Sequence, residues 1–358
     1  MQYKPNLDET IERMRRFWSI EEPLYRVPCW VMLPRPPSPT GRKPLDATFY
    51  GRLDEYLAYN GERFRRQSAV LDDFVPAVCP PFGHALIPAL LGCGVQYASD
   101  TLWSIPSVPD LERVEELRLD LDNDIGRQFR SDLDRLLDWA DGRCAVSNYE
   151  MEGVTDIMAA LRGTEKFCCD FYETPELARR FARRIADLLI EWGAWNSANV
   201  AGRQAALRGA GTMWFLWMPP SANTMAEDHT VLLSPGLYRD FIIDEDRRMS
   251  AASSHMLLEV HPEGNRHLQA FGEVDGITAM SVENPLRMAP EHREMIRPLL
   301  GRKALVINCS MKEARDVLAF TGTRGVFLIT GAGTVEEANA FLRELSAFTT
   351  EKRSYGER

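Results

Sequence analysis

The feature that most constrains this 358-residue chain is an alternation of short apolar runs, many β-branched, with longer segments of helical periodicity. Such alternation marks a parallel sheet covered by helices. Eight runs are legible: Val27 to Met32, Ala69 to Val78, Cys144 to Glu150, Thr212 to Trp217, His255 to Val260, Gly276 to Glu283, Lys303 to Cys309 and Gly325 to Thr330. Eight strand–helix units predict an α/β fold, a (β/α)8 TIM barrel spanning 1–358 as a single domain.

Several helix ends are also written in the sequence. Thr174-Pro175-Glu176 offers an N-cap, a proline at the first helical position and an acid in the first turn, and Leu177, Phe181, Ile185, Leu188, Trp192 and Trp195 follow as an apolar stripe. Ser234-Pro235 opens a helix in the same way, while Ser310 with Glu313 and Thr334 with Glu337 fit capping boxes directly after the last two runs. The N-terminal third is less regular. Pro34, Pro36, Pro37, Pro39 and Gly41, then a Gly/Pro-broken stretch over 80–94, predict loops over the barrel mouth.

A formal charge of −10 argues against a general nucleic-acid binder, which must neutralise phosphates with clustered cations. Arg179, Arg180, Arg183 and Arg184 fall at helical spacing and read as a solvated face. The first residues are charged throughout, and nowhere do 18 apolar residues follow one another, so a cytoplasmic protein without a membrane span, acting on a small-molecule substrate, is expected. Seven cysteines, with Cys168 and Cys169 adjacent, suggest thiols rather than a disulfide framework.

In such a barrel, chemistry sits at the C-terminal ends of the strands. The fifth run ends in Val260-His261-Pro262-Glu263, the sixth in Val282-Glu283-Asn284 and the seventh in Asn308-Cys309-Ser310. An imidazole, carboxylates and a thiol from three neighbouring strands form a mixed donor set that suits Zn2+ with one open position. The same residues also read as a hydrogen-bonded histidine, a small buried hydrophobe and solvated rim glutamates.

A second polar group comprises Tyr149, Glu150 and Glu152 after the third run and Glu227, Asp228 and His229 after the fourth. Each could exchange a proton or hold a ligand, although 227–229 also reads as a polar loop before the Ser234 cap. Gly331-Ala-Gly333 could offer backbone N–H groups to a phosphate, but an ordinary strand-to-helix turn fits equally, and Glu336 and Glu337 would oppose an anion. Trp214, Trp217 and Met218 read as packing residues.

The segments Phe82-Gly-His-Ala-Leu-Ile-Pro-Ala-Leu-Leu-Gly-Cys93, Leu161-Arg-Gly-Thr-Glu165 with Asp170-Phe-Tyr-Glu-Thr-Pro-Glu176, and Leu233-Ser-Pro-Gly-Leu-Tyr-Arg-Asp-Phe241 resemble the uroporphyrinogen decarboxylase superfamily. That resemblance implies a single (β/α)8 barrel. The true decarboxylases continue from a segment like Pro28-Cys-Trp-Val-Met32 into several arginines, which their polycarboxylate substrate needs as partners, whereas this chain continues Leu33-Pro34-Arg35-Pro36-Pro37. The resemblance therefore points to the methyltransferase-like branch.

In that branch zinc is held by a His-x-Cys element, a glutamate on the next strand and a later cysteine. His261, Glu283 and Cys309 match, with Glu263 in the place of the first cysteine. The expectation is a methyltransferase acting on a small methylated substrate. Zinc would sit among His261, Glu263, Glu283 and Cys309; Glu152, Asp228 and His229 would be catalytic groups; and a corrinoid carried by a partner protein would be the methyl carrier. The alternatives are a metal-free decarboxylase or lyase using Asp228 or Glu152, and a barrel that binds a ligand without turning it over.

Overall fold

A computed structural model describes residues 1–37, 46–98 and 101–356, so Pro39 and Gly41 of the expected mouth loops lie outside the described residues. Twelve strands form among them: β1 (Cys29–Met32), β2 (Ala77–Val78), β3 (Gly94–Ala98), β4 (Thr101–Ile105), β5 (Ala145–Val146), β6 (Ala210–Gly211), β7 (Trp217–Met218), β8 (Asn223–Ala226), β9 (Met256–Glu259), β10 (Ile277–Val282), β11 (Ala304–Asn308) and β12 (Val326–Gly331). Six pair in one sheet in the order β1-β12-β11-β10-β9-β8, every pairing parallel. Ala304 to Ile307 and Val326 to Leu328 are wholly buried, as apolar strands covered on both faces must be.

β2 and β5 form a separate parallel pair. Backbone hydrogen bonds span the gap on each side of it: Asp73 N–H donates to Cys29 O at 2.7 Å, and Met151 N–H donates to Thr224 O at 2.9 Å. The succession β1, β2, β5, β8 to β12 is consistent with an eight-stranded barrel, although continuous ladders join only six of its strands and, separately, two.

The gap beside β1 has a chemical cause. Where a neighbouring strand would offer carbonyls, Asp73 Oδ2 accepts from Cys29 N at 2.9 Å and Asp72 Oδ2 from Val31 N at 2.9 Å. Both carboxylates are buried, and buried charge needs partners. Arg13 supplies one at 2.7 Å from Asp73, Arg26 a second, and Lys4 donates to the Asp72 carbonyl at 2.6 Å.

Three expected strands are corrected. Thr212 to Trp217 is no barrel strand: it crosses the turn of an antiparallel β6–β7 hairpin, with Phe215 at a φ of 62° and bonds from Thr212 N to Leu216 O and from Phe215 N to Thr212 O. Its apolar residues pack as a bent hairpin, and the fourth barrel strand is Asn223–Ala226. The second and third strands shrink to 77–78 and 145–146, because the buried Asp72 and Asp73 interrupt one run and 148–150 leave the ladder of the other.

Ser234, Ser310 and Thr334 do cap, accepting from Leu237 N, Glu313 N and Glu337 N. Thr174 does not cap; its hydroxyl donates back to Asp170 O, and Pro175 alone shapes that helix start. In that helix Phe181, Ile185, Leu188 and Trp192 are buried, with Leu177 and Trp195 packed partly against the core. No helix among the described residues is long and apolar enough to cross a membrane.

Candidate functional site

The C-terminal ends of β2, β5, β8 and β9 carry an unusual concentration of carboxyl and imidazole groups. The chain leaves β2 through Cys79-Pro80-Pro81-Phe82-Gly83, where Gly83 takes a φ of 56° and its carbonyl accepts the Tyr149 hydroxyl, and this turn delivers His84. His84 Nδ1 lies 3.1 Å from both oxygens of Glu152. The Glu152 charge pushes His84 up to about 10, although a side chain 66% exposed lets solvent screen that attraction.

Glu152 itself holds a φ of 59°, a left-handed conformation that a non-glycine residue adopts at a cost and that clusters at functional sites. The next residue has to be glycine. A Cβ on Gly153 would stand 2.0 Å from Ala226 O and 2.5 Å from the Glu227 carboxyl carbon, so the exit of β5 is pressed against the end of β8.

That close approach organises the helix Val154–Arg162. No side chain of its own caps it; instead Glu227, reaching across from β8, accepts from Val154 N at 2.6 Å, Thr155 N at 3.1 Å and the Thr155 hydroxyl. Burial, reinforced by Asp246 and Asp156, nevertheless holds the Glu227 carboxyl well above its ordinary range. Glu227 is therefore a structural anchor behind the mouth. Asp246, bonded by Tyr238 at 2.5 Å, is pushed by burial to about 7.

In the first turn of the same helix, Asp156 grips the start of the loop after β8. Its oxygens accept from Asp228 N and His229 N at 3.0 Å each, and its Oδ1 lies 2.5 Å from His229 Nδ1. Burial lowers His229, but the hydrogen bond and charge of Asp156 outweigh it and leave the imidazole above its ordinary value. With Nδ1 engaged, Nε2 is left for a ligand. Asp228 meets a third imidazole, His261 Nε2, at 3.6 Å. Burial and then Asp156 raise the Asp228 carboxyl.

Glu150 and Glu259 complete the group. Both are raised by burial, Glu150 also by Glu152, and the charges acting on Glu259 include His261, Asp228 and His84. Three imidazole–carboxylate pairs thus share one mouth, an arrangement suited to proton transfer. Of the expected catalytic residues, Glu152, Asp228 and His229 all lie here. His84, Asp156 and Glu259 were not foreseen. His84 lay within a segment read as a loop over the mouth, Asp156 sits inside a helix rather than at a strand end, and Glu259 lies inside the fifth run itself.

The expected zinc ligands are not gathered. His261 is half exposed and turned to Asp228, Glu263 is exposed in the 3-10 turn Pro262–His267, and Glu283 accepts from Asn265 at 2.8 Å. Cys309 is buried, its thiol pushed by burial up to about 11. Among the described residues no three His, Cys, Asp or Glu side chains are placed to hold a metal ion. The donor set does not fit zinc in this arrangement. The glycine turn is filled from within the chain, since Gly333 N donates to Glu337 at 2.7 Å. A cleft of about 760 Å3 opens at the other end of the strands beside Lys4, Asp141 and Gln204, away from the mouth.

No protein-family model matches the chain, and no curated protein matches it. Among solved structures it is similar to a methyltransferase from Methanosarcina mazei, with a TM-score of 0.63 and 16% identity over 95% of this chain and 98% of that one. A B12-independent methionine synthase from Shewanella sp. W3-18-1, in complex with selenomethionine, aligns over 93% of this chain and 99% of that one at 12% identity, with a TM-score of 0.46. At this identity the first likeness establishes a shared fold, in keeping with the barrel-like succession of strands.

Proposed function

We propose that the chain is a methyltransferase-like enzyme whose reaction takes place at the mouth formed by β2, β5, β8 and β9. The observation that carries this reading is His229, oriented through Nδ1 by Asp156 at 2.5 Å beside Asp228. Held this way, the imidazolium can protonate a leaving heteroatom. The methyl–heteroatom bond breaks, its electron pair stays on the heteroatom, and His229 supplies the proton while a nucleophile takes the methyl group. The likeness of fold to a methyltransferase supports the reaction class.

A corrinoid on a partner protein, expected from the superfamily resemblance, would supply the methyl acceptor. The chain's own contribution is binding, orientation and proton transfer. A metal-free decarboxylase or lyase is the second reading, favoured by carboxyl groups whose proton affinity burial raises, Glu150 above all.

The test is a set of small methyl ethers, methyl thioethers and methylated amines incubated with reduced cobalamin, following methylcobalamin by its absorbance. Transfer that depends on His229 is the expected result. Failure with every donor, together with carbon dioxide release from a carboxylated substrate, would establish the second reading.

A further inference from the structure

Five carboxyl groups, from Glu150, Glu152, Asp156, Asp228 and Glu259, gather around three imidazoles, and three of them, Glu152, Asp156 and Asp228, pair with His84, His229 and His261. The strongest charges acting on Glu150, Glu152, Asp228 and Glu259 are one another, Asp156 and these imidazoles; none is a lysine or arginine. Five carboxyl groups outnumber three imidazoles, so a mouth built this way offers more partners to a cation than to an anion.

A second observation points to a ligand. Glu150 is 2% exposed, its Oε1 has no hydrogen-bond partner, and its electrostatic neighbours are Glu152, His84, Glu259 and Asp228, so the side chain is directed into the cluster. Two residues earlier, Asn148 Oδ1 is also buried without a partner. Buried acceptors left open are rare because each forgoes its hydration without replacement, so a donor from outside the chain is the economical explanation. No metal-holding group of three side chains forms among the described residues, so the geometry favours an organic cation over an ion.

We propose that this mouth binds its substrate through an ammonium group, with Glu150 as the anchoring carboxylate and Glu152, Asp228 and Glu259 around it. The inference rests on the reading of this mouth as the active site and adds the charge class of the substrate. An ammonium N–H would donate to Glu150 Oε1, and its charge would offset the burial that raises this carboxyl and so hold it ionised, leaving His229 to act elsewhere on the molecule.

Calorimetric titration of the full chain tests this with methylammonium, ethylammonium and ethanolammonium as probes, whose N–H groups can donate to Glu150 Oε1, and with ethanol as the uncharged isostere of ethylammonium. At least one cation should bind about tenfold or more tightly than the isostere, and E150Q should weaken it by about tenfold or more, the scale of one charge-assisted hydrogen bond. Glu259→Gln, at a less buried position, serves the same purpose should E150Q not fold.

Equal binding of the isostere, unchanged affinity in a folded variant, or binding of calcium or zinc ions but of none of the ammonium probes overturns the proposal. Methyl transfer assayed in parallel separates the two claims. Cation binding without transfer leaves the anchor in place and removes the reaction, whereas transfer from uncharged donors alone does the reverse.

Discussion

Asp156 holds His229 twice, through the 2.5 Å contact to Nδ1 and the bond from His229 N at 3.0 Å, and holds the residue before it through the bond from Asp228 N at 3.0 Å. A helix residue thereby fixes both the loop that follows β8 and the ring it carries. The backbone bonds set where the imidazole stands, and the side-chain contact sets which nitrogen faces the mouth.

The consequence is a pH dependence of known sign. If His229 acts as the acid, activity is present while the ring is protonated and falls as pH rises through its elevated value. Asp156→Asn removes the charge that raises it and leaves the burial that lowers it. The alkaline limb of kcat/KM should therefore move to lower pH in Asp156→Asn, and His229→Ala should lose about 10²–10⁴-fold in kcat at an unchanged Tm. A limb that stays in place would show that Asp156 is only a loop staple.

The second prediction concerns the seam between β1 and β2. Asp73 is fully buried, accepts from Cys29 N, and is paired with Arg13 and Arg26, so its truncation strands two buried guanidinium groups and an orphaned strand N–H. Asp73→Ala should cost about 3–5 kcal/mol in chemical denaturation, the penalty of breaking a buried pair from one side. Asp8→Ala removes a carboxylate that is 89% exposed beside Arg208, and should cost within about 1 kcal/mol. Equal effects from the two would contradict the seam.

This seam also shows what the sequence could and could not tell. The parallel strands β9 to β12 were legible because each is a largely apolar and mostly buried run; β9 to β11 lie within the runs that marked them, and β12 passes its run by one residue. The N-terminal half was misread where pairing is supplied by side chains. Asp72 and Asp73 fall inside the second run, yet instead of extending a strand they complete the edge of β1 with their side chains. Thr212 to Trp217 has the composition of a strand and is bent into a hairpin by a non-glycine residue at positive φ, which no residue type announces. Likewise Glu152, Asp228 and His229 could be marked as chemical, but His84 joins them only because the β2 turn brings it 68 positions along the chain to Glu152.

The third prediction concerns zinc. His261, Glu283 and Cys309 sit at positions that match a zinc-binding pattern, yet each has a different local fate: His261 faces Asp228, Glu283 is held by Asn265, and Cys309 is a buried thiol raised to about 11. A preformed catalytic zinc site shows its ligands converging with oriented supporting partners. Here the residue best supported is Glu283, and its partner Asn265 belongs to the turn after β9 rather than to a ligand. Elemental analysis of the purified chain should give well below one zinc per molecule, and His261→Ala with Cys309→Ala should leave that content unchanged. A stoichiometric zinc lost in the double variant while the fold persists would mean that the ion itself draws these side chains together. The reaction would then be centred at the ends of β9, β10 and β11, and the carboxylates around Glu150 would become the wall of the pocket rather than its floor.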